Sequence, residues 1–263
     1  MAFPYKCVLV TGATSGIGLA LTERIISQSS FVIATGRRKE RLDELFERFG
    51  ADKIAVEEFD VSAIDKLEAW VAHLTEKFPK LDAILLNAGF QHHPVFLDPS
   101  SLSLPTIEEE LRTNYLSPLQ TTLLFLSHLQ NLSRSQPAAI ILVTSGLALV
   151  PALTVPTYSA TKAALHSFAW TLRATLAEDF PNLKVQEIIP PAVKTELHIK
   201  QGAPEIGMPL DTFADQTWSG MISGQDELTV GMVAERFARV EDERKKEFAN
   251  LCAIMKPPRP TAK

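Results

Sequence analysis

Six short runs rich in Val, Ile and Leu recur along the chain, at residues 7–11, 31–35, 54–59, 83–86, 140–144 and 185–189. Longer segments with helical composition separate them, at 18–27, 38–49, 64–78, 107–132 and 157–180. This alternation constrains the fold strongly, because a chain that returns through a helix after each strand lays its strands down in parallel. The runs show little apolar/polar alternation, as strands do when helices cover both faces of a sheet. With right-handed crossovers the expected architecture is a doubly wound parallel α/β sheet.

Length and composition fit that expectation. At 263 residues, 46% hydrophobic and 22% charged, the chain suits one large α/β domain spanning 1–263. A formal charge of −5, without a long run of either sign, argues against nucleic acid as a partner. Only Cys7 and Cys252 occur, far apart and without metal-ligand spacing. A disulfide framework is excluded, no metal site is expected, and a reduced compartment fits best. No signal-peptide pattern opens the sequence, and no apolar stretch nears the ~20 residues of a membrane span. The expectation is a cytoplasmic protein with no membrane partner. Residues 190–226, with four prolines and four glycines, read as a substrate loop or lid, and 256–263 as a flexible tail.

The first strand runs into Thr11-Gly12-Ala13-Thr14-Ser15-Gly16-Ile17-Gly18. Glycines in a strand-to-helix turn let the backbone approach a pyrophosphate, whose charge meets the positive end of the following helix. Gly12, Thr14, Ser15, Gly16, Ile17 and Gly18 are therefore candidate cofactor-binding residues. The Gly-x-x-x-Gly-x-Gly spacing, one residue longer than the common dinucleotide fingerprint, resembles the TGxxxGxG loop of the short-chain dehydrogenases/reductases, in their branch of about 250 residues. The resemblance continues in order over residues 6–195 and implies a Rossmann-type fold, a nicotinamide cofactor and hydride-transfer chemistry.

The second strand ends Ala34-Thr35-Gly36-Arg37-Arg38, without the acidic residue that would accept hydrogen bonds from a ribose 2′-hydroxyl. Two guanidiniums there suit a 2′-phosphate through charge-assisted contacts, so NADP(H) is expected over NAD(H), with Arg37 carrying more of the selectivity than Arg38. The family resemblance implies further cofactor contacts. Asp60 and Val61 match the pair that meets the adenine. Asn87, Ala88 and Gly89 match the end of the family's NNAG segment, with Leu86 in place of its first Asn. Pro190, Val193 and Thr195 match the segment beside the nicotinamide, where Pro191 replaces the usual Gly.

Tyr158 and Lys162 share a helix face at i and i+4. An ammonium beside a phenol favours the phenolate and lowers a pKa that starts at about 10. A tyrosine so tuned can give a proton to a carbonyl or take one from an alcohol. Ser145 precedes this pair at a strand end, where open α/β sheets bind ligands. In the family, a Ser so placed orients the substrate carbonyl, an Asn such as Asn114 completes a tetrad through a water held against the Lys, and the Lys also binds the cofactor ribose. The expected activity is an NADP(H)-dependent oxidoreductase acting on a carbonyl or secondary alcohol.

Two other readings compete. The same site could run an isomerisation, dehydration or cyclisation by acid–base steps alone, since fold does not fix reaction. A dinucleotide-binding regulator without catalysis is the other, and the intact Ser145, Tyr158 and Lys162 argue against it. The expected substrate pocket, formed by 147–151, Pro191, Met208, Phe213 and Trp218, suits a largely apolar alcohol or ketone. His92 and His93 are expected to be polar loop residues, and 241–247 a solvated helix face. The family's terminal Gly-Gly segment is missing, which counts against its usual tetramer. Apolar residues on several faces of the two long helices suggest a homodimer.

Overall fold

In the computed structural model, which describes residues 3–199 and 206–255, seven parallel strands form one sheet in the order β3-β2-β1-β4-β5-β6-β7. The strands are β1 (Cys7–Thr11), β2 (Phe31–Gly36), β3 (Ile54–Glu58), β4 (Ala83–Leu86), β5 (Ala138–Val143), β6 (Leu183–Ile189) and β7 (Glu227–Thr229). The order reverses direction between β1 and β4, the switch point where such sheets open a crevice at their carboxyl ends. The expected doubly wound architecture is therefore the observed one.

Helices α1 (Gly16–Ser27) and α2 (Lys39–Phe49) cover one face. On the other lie α3 (Leu67–Lys77), α5 (Ser117–Ser133) and α6 (Pro156–Leu176), with α4 (Leu104–Leu111) leading into α5. Successive strand residues point to opposite faces, so Val8 and Val10 join the first core while Cys7 and Leu9 join the second. Cys7 is a buried free thiol within that packing, and burial pushes it up to about 12. Phe125 on α5 is fully enclosed, and burying such a side chain contributes about 1.5–3 kcal/mol.

The helix expected over 107–132 is interrupted. α4 ends at Leu111, Arg112–Leu116 forms a π-helical turn, and α5 starts at Ser117. Pro118 explains the break. It has no N–H for the carbonyl of Asn114, four residues back, and its ring crowds that carbonyl. The wider turn places Asn114 at the carboxyl edge of the sheet, a frequent setting for a functional π-bulge.

Residues 190–226 contain more structure than the sequence suggested. A short helix α7 (Glu196–Ile199) is followed by α8 (Leu210–Ile222), which buries Phe213, Thr217 and Met221 along one stripe. The other buried positions of this helix, Ala214 and Gly220, are small and Thr217 is polar, so no apolar period shows in the sequence. Part of the expected loop (200–205) and the expected tail (256–263) lie outside the described residues. After β7 come a π-helical turn Val233–Phe237, a 3-10 turn Ala238–Glu241 and helix α9 (Asp242–Ile254). Among the described residues no helix is long and apolar enough to cross a membrane.

Candidate active site

A cleft of about 460 Å³ runs along the carboxyl ends of the strands, within the range of a bound small molecule. Its floor at one end is the turn from β1 to α1. Gly12 and Gly16 adopt φ of +67° and +54°, which side-chain-bearing residues seldom do. A methyl group on Gly18 would sit 2.2 Å from the Gly12 carbonyl oxygen, so only glycine lets the turn close on itself. Asn87 braces the turn by donating from Nδ2 to the Thr11 and Gly12 carbonyls at 3.1 and 3.3 Å. The backbone N–H groups of Asn87 and Ala88 meet Thr11 Oγ1 at 3.0 and 3.2 Å.

The first turn of α1 has no side-chain cap and no acidic residue. Ser15, at the cap position, instead accepts a hydrogen bond from Arg38 at 2.8 Å. The N-terminal N–H groups of α1 thus face the cleft without a protein acceptor on the capping side chain, and the helix dipole favours an anion there. Thr195 stands opposite: a methyl on Gly16 would reach its Cγ2 at 3.2 Å. These features fit a pyrophosphate. Beyond Pro190, a β-bridge between Val193 and Met208 fixes the strand-end loop, and Pro190 accepts the Gly146 N–H at 2.8 Å.

At the end of β2 the two arginines differ. Arg38 donates to Thr14 Oγ1 at 2.9 Å and forms an ion pair with Glu196 at 3.0 Å. Glu196 is shared with Arg41 at 2.6 Å, and the hydrogen bond from Arg41 is the main force holding its carboxyl down to about 2. Arg37 is more exposed, 3.7 Å from Asp60 and 3.9 Å from Glu109. Asp60 also accepts from Ser62 N–H and Oγ at 2.9 and 2.8 Å. Arg37, Arg38, Asp60 and Val61 all line the cleft.

At the other end, Ser145, Tyr158 and Lys162 come together. The Ser145 hydroxyl accepts the Leu147 N–H at 3.1 Å and lies near enough to the Tyr158 phenol to pull its pKa down. Lys162 Nζ lies 5.6 Å from the Tyr158 ring centre and donates to the Val143 carbonyl at 2.9 Å. Asn114 accepts the Phe90 N–H at 2.8 Å and donates to Phe90 O and Thr161 Oγ1 at 2.7 and 3.2 Å. Gly89 lies between Asn114 and Lys162, since a methyl there would be 3.5 Å from Asn114 Oδ1 and 3.6 Å from Lys162 Nζ.

The expected lowering of the Tyr158 pKa is not what the surroundings produce. Burial pushes the phenol up to about 12, the Ser145 hydroxyl pulls it down, and the charge of Glu110 pushes it further up. Burial brings the Lys162 ammonium down to about 8, against the pull of Glu187 and Glu110. Desolvation wins for both because Tyr158 is only 9% exposed and Lys162 only 3%.

The sequence matches the short chain dehydrogenase family model over residues 6–205. The chain belongs to that family. DltE of Bacillus subtilis (strain 168), described as an uncharacterized oxidoreductase, is 33% identical over 95% of this chain and 96% of its own length. A Saccharomyces cerevisiae benzil reductase ((S)-benzoin forming), IRC24, is 31% identical over 73% of each chain. A short-chain dehydrogenase from Sphingobium yanoikuyae, solved with NADPH, superposes with a TM-score of 0.78 at 21% identity, covering 97% of this chain and 98% of that one.

In this short-chain dehydrogenase the substrate side departs from expectation. Leu147 and Pro191 line the cleft, but the rest of 147–151 and Met208, Phe213 and Trp218 do not. Phe213 is fully buried in the core, Trp218 packs on Phe3 at 4.9 Å between ring centres, and Met208 packs against the same core. They anchor α8 rather than wall a pocket. The wall comes from Met232, Val233 and Phe237, distant in sequence and carried by a π-turn that no simple period reveals. Glu110 carries no signal in the sequence. Fully buried on α4, it accepts the His92 N–H at 2.8 Å and a hydrogen bond from Thr157. Glu241, expected on a solvated face, is buried and faces His166.

Proposed function

We propose that this short-chain dehydrogenase is an NADP(H)-preferring reductase of a largely apolar ketone, with Tyr158 as proton donor. One observation carries the reading: Ser145, Tyr158 and Lys162 gather at one end of a single cleft, and Arg37 and Arg38 line its other end. The residues fit a dinucleotide along the whole cleft. Gly12, Thr14, Ser15, Gly16, Ile17 and Gly18 would hold its pyrophosphate, and Arg37 and Arg38 its 2′-phosphate. Asp60, Val61, Asn87, Ala88 and Gly89 would flank the adenosine, and Pro190, Val193 and Thr195 the nicotinamide.

A bound reduced nicotinamide supplies a hydride to the carbonyl carbon. Ser145 and Tyr158 hydrogen-bond the carbonyl oxygen and polarise it. Tyr158, kept protonated by burial, releases its phenolic proton to that oxygen as the alcohol forms. Lys162 offsets the resulting phenolate charge and binds the ribose. Asn114, whose side chain is fixed by Phe90 and Thr161, would hold a water that returns the proton. Leu147, Pro191, Val233 and Phe237 give the substrate end an apolar lining, and the benzil reductase relative agrees with a bulky apolar ketone. A homodimer, a cytoplasmic location and a single-domain organisation go with this reading.

The test is titration with NADPH and NADH, followed by nicotinamide fluorescence, and then loss of NADPH absorbance with benzil as the carbonyl. Tight NADPH binding, weaker NADH binding and benzil-dependent oxidation are expected, with Tyr158→Phe binding NADPH but turning nothing over. Failure to bind either nucleotide would sink the assignment. Binding without NADPH consumption across a carbonyl panel would favour a non-redox acid–base reaction.

A further inference from the structure

One turn beyond Lys162 on α6, His166 is buried between two carboxylates. Its Nδ1 faces both oxygens of Glu187, on β6, at 2.8 and 3.0 Å, and its Nε2 faces Glu241 at 3.2 Å. All three side chains are 0–3% exposed. An imidazole with an ionised carboxylate at each nitrogen is satisfied only when both nitrogens carry protons, as imidazolium.

The cluster is tied at each end to the cleft. Glu187 also accepts from Thr144 Oγ1 at 2.6 Å, and Thr144 is the residue before Ser145. Glu241 lies one turn after Phe237 and is held on its outer side by Arg244 on α9 at 2.5 Å. Between these ends, Val233 and Phe237 rest on the backbone beside Ser145. A methyl on Gly146 would come within 2.4 Å of Val233 Cγ2 and 3.3 Å of Phe237 Cδ2. Glycine at 146 is what allows the C-terminal segment to close on the serine loop.

We propose that His166 is a positioning residue for the substrate side of the cleft: clamped between Glu187 and Glu241, it holds Val233 and Phe237 against the Ser145 loop. The inference rests on the reading of this cleft as a carbonyl-reducing site. Without the clamp, the segment 232–241 keeps its contacts on Gly146 but loses the buried charge pair that fixes its far end.

The clamp is pH-dependent in a defined direction. Burial disfavours the charged imidazole, but the hydrogen bond and charge of Glu187, then those of Glu241, outweigh it and raise the pKa. The other charged groups packed around the cluster are Lys162 on the same helix, Arg244 on α9, and Glu227, which accepts the indole N–H of Trp170 at 2.7 Å and an ion pair from Lys245 at 2.5 Å. A folded pKa above the ordinary ~6.5 means the clamp is complete below that pH and is lost as pH rises through the raised folded value.

Hydrogen exchange of the full-length protein, corrected for the intrinsic pH dependence, tests the clamp without any variant. Exchange over residues 230–241 is expected to accelerate about tenfold at alkaline pH, and at all pH values in His166→Gln and Glu241→Gln. In both variants KM for benzil is expected to rise about tenfold, with kcat within about threefold and NADPH affinity unchanged. Phe237→Ala, which leaves the cluster intact, is expected to reproduce the KM rise while keeping the wild-type pH dependence of exchange. Unchanged exchange over 230–241 in wild type across pH would overturn the clamp. Faster exchange with unchanged KM would overturn its role in positioning the substrate wall. Failure of wild type to bind NADPH or reduce benzil would strike the proposed function instead, while the exchange result would still decide the clamp.

Discussion

The Lys162 ammonium donates a 2.9 Å hydrogen bond to the carbonyl of Val143, the last residue of β5. This bond ties the helix carrying Tyr158 to the strand that ends beside Ser145, so the two elements bearing the proposed proton-transfer groups are registered by the lysine itself. Among the described residues no carboxylate pairs with the buried ammonium, and burial lowers its pKa from 10.5 to about 8.

A pH profile follows from that value. The lysine is charged below about pH 8, while the Tyr158 phenol, pushed up to about 12, stays protonated throughout. Free-enzyme kcat/KM for ketone reduction should be flat below pH 8 and fall up to about tenfold per unit above it. The kcat limb should persist in His166→Gln. Stability should run the other way: between about 8 and 10.5 the unfolded chain binds the proton and the folded one does not, so this group's contribution to stability rises with pH. A profile flat to pH 9.5 would exclude Lys162 as the group in control.

The two arginines after β2 should separate in mutagenesis. Arg37→Ala is expected to weaken NADPH binding by about 10–100-fold and leave NADH binding alone, because loss of one charge-assisted phosphate contact is worth about 1.5–3 kcal/mol. Arg38→Ala should weaken both nucleotides, since Arg38 also holds Thr14 and Ser15 in the glycine-rich turn at 2.9 and 2.8 Å. Equal loss of both nucleotides in Arg37→Ala, measured by fluorescence titration, would remove it from the 2′-phosphate site.

Gly18→Ala should abolish nucleotide binding and lower stability by about 1–3 kcal/mol, the usual cost of forcing an atom into filled space. The added methyl would lie 2.2 Å from the Gly12 oxygen and 2.4 Å from Asn87 Nδ2, so the turn must open. Denaturant unfolding and NADPH titration report the two effects separately.

Phe125→Ala should cost about 3–5 kcal/mol in urea unfolding, because the side chain is fully enclosed between α5 and the sheet. NADPH affinity should be unchanged at temperatures where the variant stays folded. A cost below about 1 kcal/mol would mean that the surrounding helices collapse into the space.

Local chemistry made much of the site legible before any fold was known. Gly12, Gly16 and Gly18 announce a turn that no other residue can make, and Tyr158 and Lys162 share a helix face by spacing alone. Ser145 could be placed because an apolar run ends just before it. The π-turn at Asn114 was hidden, although Pro118 contained its cause, since the effect of a missing N–H falls four residues upstream.

What the sequence by itself determined is therefore the parallel α/β architecture, the phosphate turn, the Arg37–Arg38 pair and the Tyr158–Lys162 face. Each depends on backbone geometry or short-range spacing. Only the tertiary structure decided which residues wall the substrate end, replacing Phe213 and Trp218 with Val233 and Phe237. It alone set the burial that shifts the Tyr158 pKa up and the Lys162 pKa down, and brought Glu241 onto His166 across 75 residues of chain. Burial and long-range contact are properties of packed neighbours, and helices and loops distant along the chain supply those neighbours only once the sheet has gathered them.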